Sequence, residues 1–151
     1  MKQPGQLEDP LSRFSLSVFR MNGLLMRSGE VITSELSQTS ARWQVLGRAA
    51  YERQTVAKMA RDMGHARQSV QRIANALAKE GLVVYVDNPS DQRAKLVALT
   101  PQGQQVLAAI HDRYKQWAKQ VTARLTPGLL ATAADALANV EALLEIELRT
   151  E

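Results

Sequence analysis

Apolar residues along this chain recur with two different periods. Leu11, Phe14, Val18 and Phe19, followed by Leu24, Leu25 and Met26, predict a first helix ending near Met26. Its apolar residues cover much of its circumference, so one neighbour is not enough to bury it. The polar residues 1–9, broken by Pro4 and Gly5 and followed by Pro10, read as a flexible arm. Thr39 or Ser40 suits the N-cap of a second helix carrying Trp43, Leu46, Ala49 and Ala50. A third helix begins near Thr55, puts Val56, Met59, Ala60 and Met63 on one face, and ends at Gly64. A fourth runs from about Ala66 to Glu80, with Val70, Ile73, Ala74 and Leu77 spaced i, i+3, i+4, i+7. Gly81 ends it.

The period then shortens. Leu82 to Val86 read as a strand, Asp87-Asn88-Pro89-Ser90-Asp91 as a turn, and Leu96 to Leu99 as the returning strand. The result is a β-hairpin whose polar tip carries Arg93. Thr100-Pro101 has the chemistry of a helix start, a capping hydroxyl before a proline at the first helical position. That helix carries Val106, Leu107, Ile110, Tyr114, Trp117 and Val121. Thr126-Pro127 repeats the signal for a last helix with Leu130, Leu137, Val140, Leu144 and Leu148. The expected fold is therefore mainly α with a small β-hairpin: four helices, the hairpin, then two helices.

Composition narrows the function classes. The chain has 151 residues, 45% of them hydrophobic and 23% charged, which fits one globular domain that can bury a core without staples. No run of 18 apolar residues suggests a membrane span, and no apolar stretch follows a basic tip as in a secretory signal, so a cytoplasmic location is expected. There is no cysteine, which excludes disulfides, thiolate nucleophiles and thiol-based peroxide sensing. Two histidines, His65 and His111, offer little for a metal site, and no phosphate-binding glycine loop or nucleophile motif is present. We expect no enzyme, no metal and no cofactor.

Charge distribution says more than the net +4. Between Ala41 and Lys95 there are ten Lys/Arg against five Asp/Glu, whereas the remainder carries nine against ten. A basic block inside a neutral frame is the footprint of a nucleic-acid surface, or else a solvated basic face. The third and fourth helices, joined by Met63-Gly64-His65-Ala66, have the arrangement of a helix-turn-helix. With Val70, Ile73, Ala74 and Leu77 turned inward, Arg67, Gln68, Ser69, Gln71 and Arg72 fall on the outer face of the first two turns, the part that enters the major groove. Arginine pairs with guanine and glutamine with adenine through two hydrogen bonds each. No acid occurs from Gly64 through Ala78. A plain helical hairpin would show the same amphipathicity, but the basic hairpin directly downstream favours DNA, since Arg93 at its tip suits a narrow minor groove.

Asp91-Gln92-Arg93-Ala94-Lys95-Leu96-Val97-Ala98-Leu99-Thr100 closely resembles the wing signature of MarR-type regulators, Asp-x-Arg-x-x-x-x-x-Leu-Thr. Pro101-x-Gly103 and Gly81-Leu82-Val83 are also similar to that family, and the resemblance extends over roughly residues 10 to 148. It implies a winged helix-turn-helix region over residues 37–100. It also implies a dimerisation region built from residues 10–36 and 101–151, intertwined between two copies. The implied function is binding of double-stranded DNA at a pseudo-palindromic operator by a homodimer, as a repressor released by a small phenolic or other aromatic ligand. By position, Arg67, Gln68, Ser69, Gln71 and Arg72 match the groove-facing start of the recognition helix. Arg93 matches the wing arginine, Asp91 the acid that orients it, and Lys95 lies on the same wing. Ser40, Thr55 and Lys58 correspond to phosphate contacts. Ala66 departs from the family, which often has Ser or Thr there, and gives up a cap worth about 1 kcal/mol unless His65 or a phosphate replaces it.

A ligand cavity of that family would fall near Met21, Leu24, Trp43, Leu46, His111 and Tyr114; most of these read better as plain core residues, and His111 with Tyr114 on the same helix is the polar pair to test. The competing function is a protein-interaction module built on a winged helix without specific DNA binding. Such a module has no need to keep Arg67, Gln71, Arg72 and Arg93 together without acids.

Overall fold

The structure, a computed structural model, describes residues 9–149. Of the arm expected over residues 1–9, only Asp9 lies among them. Its carboxylate accepts a hydrogen bond from the Ser12 N–H at 2.8 Å and so caps helix α1 (Pro10–Thr33). Hydrogen bonding from the Ser12 side chain, with the Ser12 N–H second, holds the Asp9 pKa below its ordinary value. Pro10 follows at a position whose N–H has no intrahelical partner in any case. α1 continues well past Met26, where the sequence pattern weakens. Ile32 and Thr33 are buried near its end, and tertiary packing carries the helix through a stretch with no periodic signal. A single 3₁₀ turn, Ser34–Leu36, closes it.

The chain divides into two compact units, one up to Tyr114 and one from Lys115 onward. After α1 the first unit contains α2 (Ser40–Tyr51), β1 (Gln54–Thr55), α3 (Val56–Met63), α4 (Arg67–Lys79), β2 (Val83–Val86), β3 (Leu96–Leu99) and the start of α5 (Pro101–Thr122). Its core is made of Val45 and Leu46 from α2, Met59 from α3, Val70, Ala74 and Leu77 from α4, Val97 from β3 and Ile110 from α5. Val45 lies off the stripe expected for α2, and Ala50, which lies on it, is exposed. α2 packs against α1, α4 and β3, so more than one of its faces is apolar.

The hairpin is part of a three-stranded antiparallel sheet with β3 in the middle. β3 pairs with β2 from Val83↔Leu99 to Val86↔Leu96, and with β1 through Gln54↔Val97 and Thr55↔Leu96. β1 was not expected, because two residues have no period to read. The Thr100 hydroxyl donates to the Gly81 carbonyl at 2.6 Å and accepts from the Gly103 N–H at 3.0 Å, tying the end of α4 to the start of α5. Gly103 is required by proximity: a Cβ there would lie 1.9 Å from the Leu82 carbonyl oxygen.

The second unit holds the rest of α5 and α6 (Leu129–Arg149). α6 starts later than Thr126-Pro127 suggests. Gly128 takes φ +81°, the Leu129 N–H closes a turn onto the Thr126 carbonyl, and the Thr132 N–H bonds to the Gly128 carbonyl. Pro127 is therefore a turn residue and not the first residue of the helix. Among the described residues no helix is long and apolar enough to cross a membrane.

Candidate nucleic-acid interface

The helix-turn-helix closes through backbone groups. Gly64 takes φ +64°, its N–H reaches the Ala60 and Arg61 carbonyls, and the His65 N–H bonds to the Ala60 carbonyl at 3.0 Å. This pattern ends a helix without a side chain. α4 then begins behind Ala66, whose extended backbone sits at the N-cap with no side-chain hydrogen bond. His65 does not substitute for the missing cap. The open N–H groups at this end carry the partial positive charge of a helix start.

Val70, Ala74 and Leu77 are buried as expected, and Ile73 is half-buried. Arg67, Gln68, Ser69 and Arg72 are exposed, and Gln71 is half-buried. Arg67, Gln68, Gln71, Arg72 and Asn75 line one open shelf along α4. A notch of about 250 Å³ joins this helix to its neighbours. It is lined by Thr55, Val56 and Ala57 at the start of α3, by Arg67, Gln71 and Asn75, by Tyr85 of β2, and by Arg93, Ala94 and Lys95 of the wing. The structure thus brings together residues of α4 and of the wing that the sequence places between 10 and 28 positions apart.

Three of those side chains form a closed hydrogen-bonded ring. Gln71 Nε2 donates to Asn75 Oδ1 at 3.0 Å and to the Tyr85 hydroxyl at 2.9 Å, and the Tyr85 hydroxyl donates to Asn75 Oδ1 at 2.6 Å. Burial pushes the Tyr85 pKa up, with the Gln71 hydrogen bond acting against it, so the phenol keeps its proton near neutral pH. The sequence reading missed Asn75 and Tyr85. Asn75 continues the i, i+4 stripe from Arg67 and Gln71. Tyr85 joins that stripe only through the tertiary position of β2.

The wing corrects one expectation. Asp91 Oδ1 accepts from the Arg93 backbone N–H at 2.9 Å, so it shapes the turn and does not orient the guanidinium. The Arg93 side chain is exposed and makes no ion pair among the described residues. Lys95 Nζ pairs with Asp87 Oδ1 at 3.0 Å across the hairpin.

The three residues matched to phosphate contacts separate. Ser40 is only 5% exposed, its N–H bonds to Glu30 Oε1, and its hydroxyl lies against the Met26 sulfur, so a phosphate contact there is ruled out by burial. Thr55 caps α3 by accepting from the Lys58 N–H at 3.2 Å, which leaves its hydroxyl proton for another partner. Lys58 Nζ lies 3.3 Å from Asp62 and 3.8 Å from Glu52, so part of its charge is already balanced. Behind the recognition helix, the Arg42 guanidinium pairs with both carboxylate oxygens of Glu80 and also donates to Gln38 Oε1. The Arg42 hydrogen bond lowers the Glu80 pKa.

The aromatic cluster expected for a ligand is partly assembled. The Trp43 ring meets Tyr114 edge-on at 5.4 Å and His111 at 6.4 Å. A cleft of about 570 Å³ opens beside His111, lined also by Ala49, Arg53, Gln104 and Leu107. Met21, Trp43 and Tyr114 do not line it. Leu46 belongs to the core, and Met21 and Leu24 are exposed on α1. Among the described residues no group of three or more His, Asp or Glu is placed to hold a metal.

A helix-turn-helix followed by a three-stranded wing defines the winged-helix class of DNA-binding proteins. The MarR family profile matches residues 25–94. The chain is 36% identical over 141 residues to uncharacterized protein Rv2011c of Mycobacterium tuberculosis, covering 93% of this chain and 99% of that protein. Its fold is similar to that of the transcriptional regulator BldR from Sulfolobus solfataricus, with TM-score 0.77, 15% identity and 93% and 99% of the two chains covered. It is also similar to apo MarR from E. coli, with TM-score 0.72, 25% identity and 87% and 97% covered. The chain belongs to the MarR family of winged-helix transcriptional regulators.

Proposed function

We propose that the protein is a cytoplasmic, sequence-specific repressor that binds a pseudo-palindromic operator as a homodimer and releases it on binding a small aromatic molecule. The observation that carries the DNA reading is the acid-free shelf of Arg67, Gln68, Gln71, Arg72 and Asn75, joined by the notch to the unpaired Arg93. In this reading α4 enters the major groove, with Arg67, Gln68, Ser69, Gln71 and Arg72 against base edges and nearby phosphates. Arg93 reaches the adjacent minor groove, with Asp91 shaping its turn and Lys95 beside it. A phosphate at the uncapped start of α4 replaces the missing side-chain cap, and Thr55 holds another through its hydroxyl. Lys58 contributes less, because Asp62 and Glu52 share its charge.

Dimer formation is supported by apolar surface that one chain leaves open. Leu16, Phe19 and Leu25 on α1, and Leu144, Ile146 and Leu148 on α6, are all about half exposed or more. Two copies that bury these helices against each other present two recognition helices, so half-sites should lie about one helical turn, roughly 10 bp, apart. Residues 10–36 and 101–151 then serve as the dimerisation region and residues 37–100 as the DNA-binding region.

Ligand release is supported by the cleft beside His111 and by the edge-on rings of Trp43, His111 and Tyr114. A cleft of about 570 Å³ is within the range that holds a small organic molecule. CouR from Rhodococcus jostii, a protein of similar fold with TM-score 0.73 and 22% identity, has been crystallised with p-coumaroyl-CoA. Selection of binding sites from a random duplex library tests the whole reading, repeated in the presence of phenolic compounds. An enriched inverted repeat, weakened by one of those compounds, is the expected result. Enrichment of no motif would remove the specific regulator and leave a winged-helix interaction module.

A further inference from the structure

We propose that Tyr85 is a positioning residue for operator specificity, holding the amides of Gln71 and Asn75 so that one presents an acceptor and the other a donor to the bases. The inference rests on the reading of α4 as the groove-entering helix. In the ring, both amide hydrogens of Gln71 are used, one on Asn75 Oδ1 and one on the Tyr85 oxygen. Asn75 Oδ1 accepts twice, from Gln71 and from Tyr85. What remains open is complementary: the carbonyl oxygen of Gln71 and the NH₂ group of Asn75. Flipping either amide alone would set two acceptors or two NH₂ groups against each other. The two amides are therefore fixed jointly, with the tyrosine hydroxyl as the bridge.

Both amides also line the open shelf with Arg67, Gln68 and Arg72, the side where DNA would lie. A free glutamine rotates its amide to suit either kind of base edge. In the polarity described, Gln71 is left as an acceptor and pairs with N6 of adenine or N4 of cytosine; the same ring closes with both amides turned, which exchanges the two roles. Asn75, left as a donor in that polarity, pairs with guanine O6 or N7, adenine N7 or thymine O4. Tyr85 sits on the wing strand, so the wing sets base preference through this ring besides contacting DNA through Arg93.

The test is site selection from a random duplex library by the full-length protein and three variants, Gln71→Ala, Tyr85→Phe and Asn75→Asp. Gln71→Ala should flatten one half-site position. Tyr85→Phe should cut the preference at that same position by about tenfold, the scale of one well-placed base contact, and leave the other positions and the dimer intact. Asn75→Asp can only accept from Gln71 and Tyr85, so it should hold the Gln71 position at adenine or cytosine while removing the preference that Asn75 sets. Tyr85→Phe acting on no position, or on all positions equally, would make the ring a wing-packing device and overturn the proposal. An Asn75→Asp variant that turns the Gln71 position toward guanine or thymine would overturn it as well. Failure of the unaltered protein to enrich any motif removes the regulator reading itself, a result visible before any variant is compared.

Discussion

Arg93 is exposed at the wing tip with its backbone held by Asp91 and its guanidinium in no ion pair among the described residues, so its charge is available to DNA. Arg93→Ala should weaken operator binding by about 1–3 kcal/mol with the dimer unchanged. Unchanged affinity in a binding titration would show that the wing does not touch DNA. Glu80 makes a different argument, about stability. Its pKa is lowered by Arg42, so the pair stabilises the folded state above the ordinary glutamate value and loses that contribution as pH falls through the lowered one. Glu80→Gln should therefore cost about 0.2–1 kcal/mol near pH 7. The difference in denaturation midpoint between the two proteins should shrink as the medium is acidified below about pH 4. A difference that is the same at all pH values would show that the charge is irrelevant. Single residues were read from the sequence with mixed success. Arg93 and the outer face of α4 follow from local motif and helical period. Ser40 looked like a surface cap because the sequence cannot show that α1 crosses its helix and buries it.

The elements were more legible than the residues that join them. α3, α4, β2 and β3 follow from periods and glycine stops, since each is short and amphipathic. The end of α1 was hidden because its last turn is held by the burial of Ile32 and Thr33, a tertiary effect with no local signal. β1 was hidden by its length, and the start of α6 by Gly128, whose left-handed backbone overrides the preceding Thr-Pro. α4 itself carries a test. Ala66→Ser should add the absent cap and stabilise the free protein by about 1 kcal/mol in denaturant unfolding. No stabilisation would mean that the open N–H groups are already satisfied in the free protein, and that a phosphate is not needed to complete this helix.

At the scale of the whole molecule, the proposed dimerisation and DNA binding would use opposite kinds of surface. The exposed apolar residues of α1 and α6 are what the proposed dimer would bury, and the basic shelf and wing are what the proposed operator contact would use. Deleting residues from Leu125 onward should abolish the dimer in analytical ultracentrifugation. A folded truncated protein that still sediments as a dimer would place the interface elsewhere. The sequence shows the basic excess between Ala41 and Lys95 directly. It could not carry the Gln71–Asn75–Tyr85 ring, which exists only once β2 is laid beside α4. The most direct test of the central claim is equilibrium binding of a selected operator duplex and of a scrambled duplex, measured between 50 and 200 mM salt. A protein that meets six or more phosphates should lose about a thousandfold or more in affinity across that range. It should also prefer its operator by at least about a thousandfold at physiological salt. Equal affinity for the two duplexes, or an affinity flat in salt, would contradict the account.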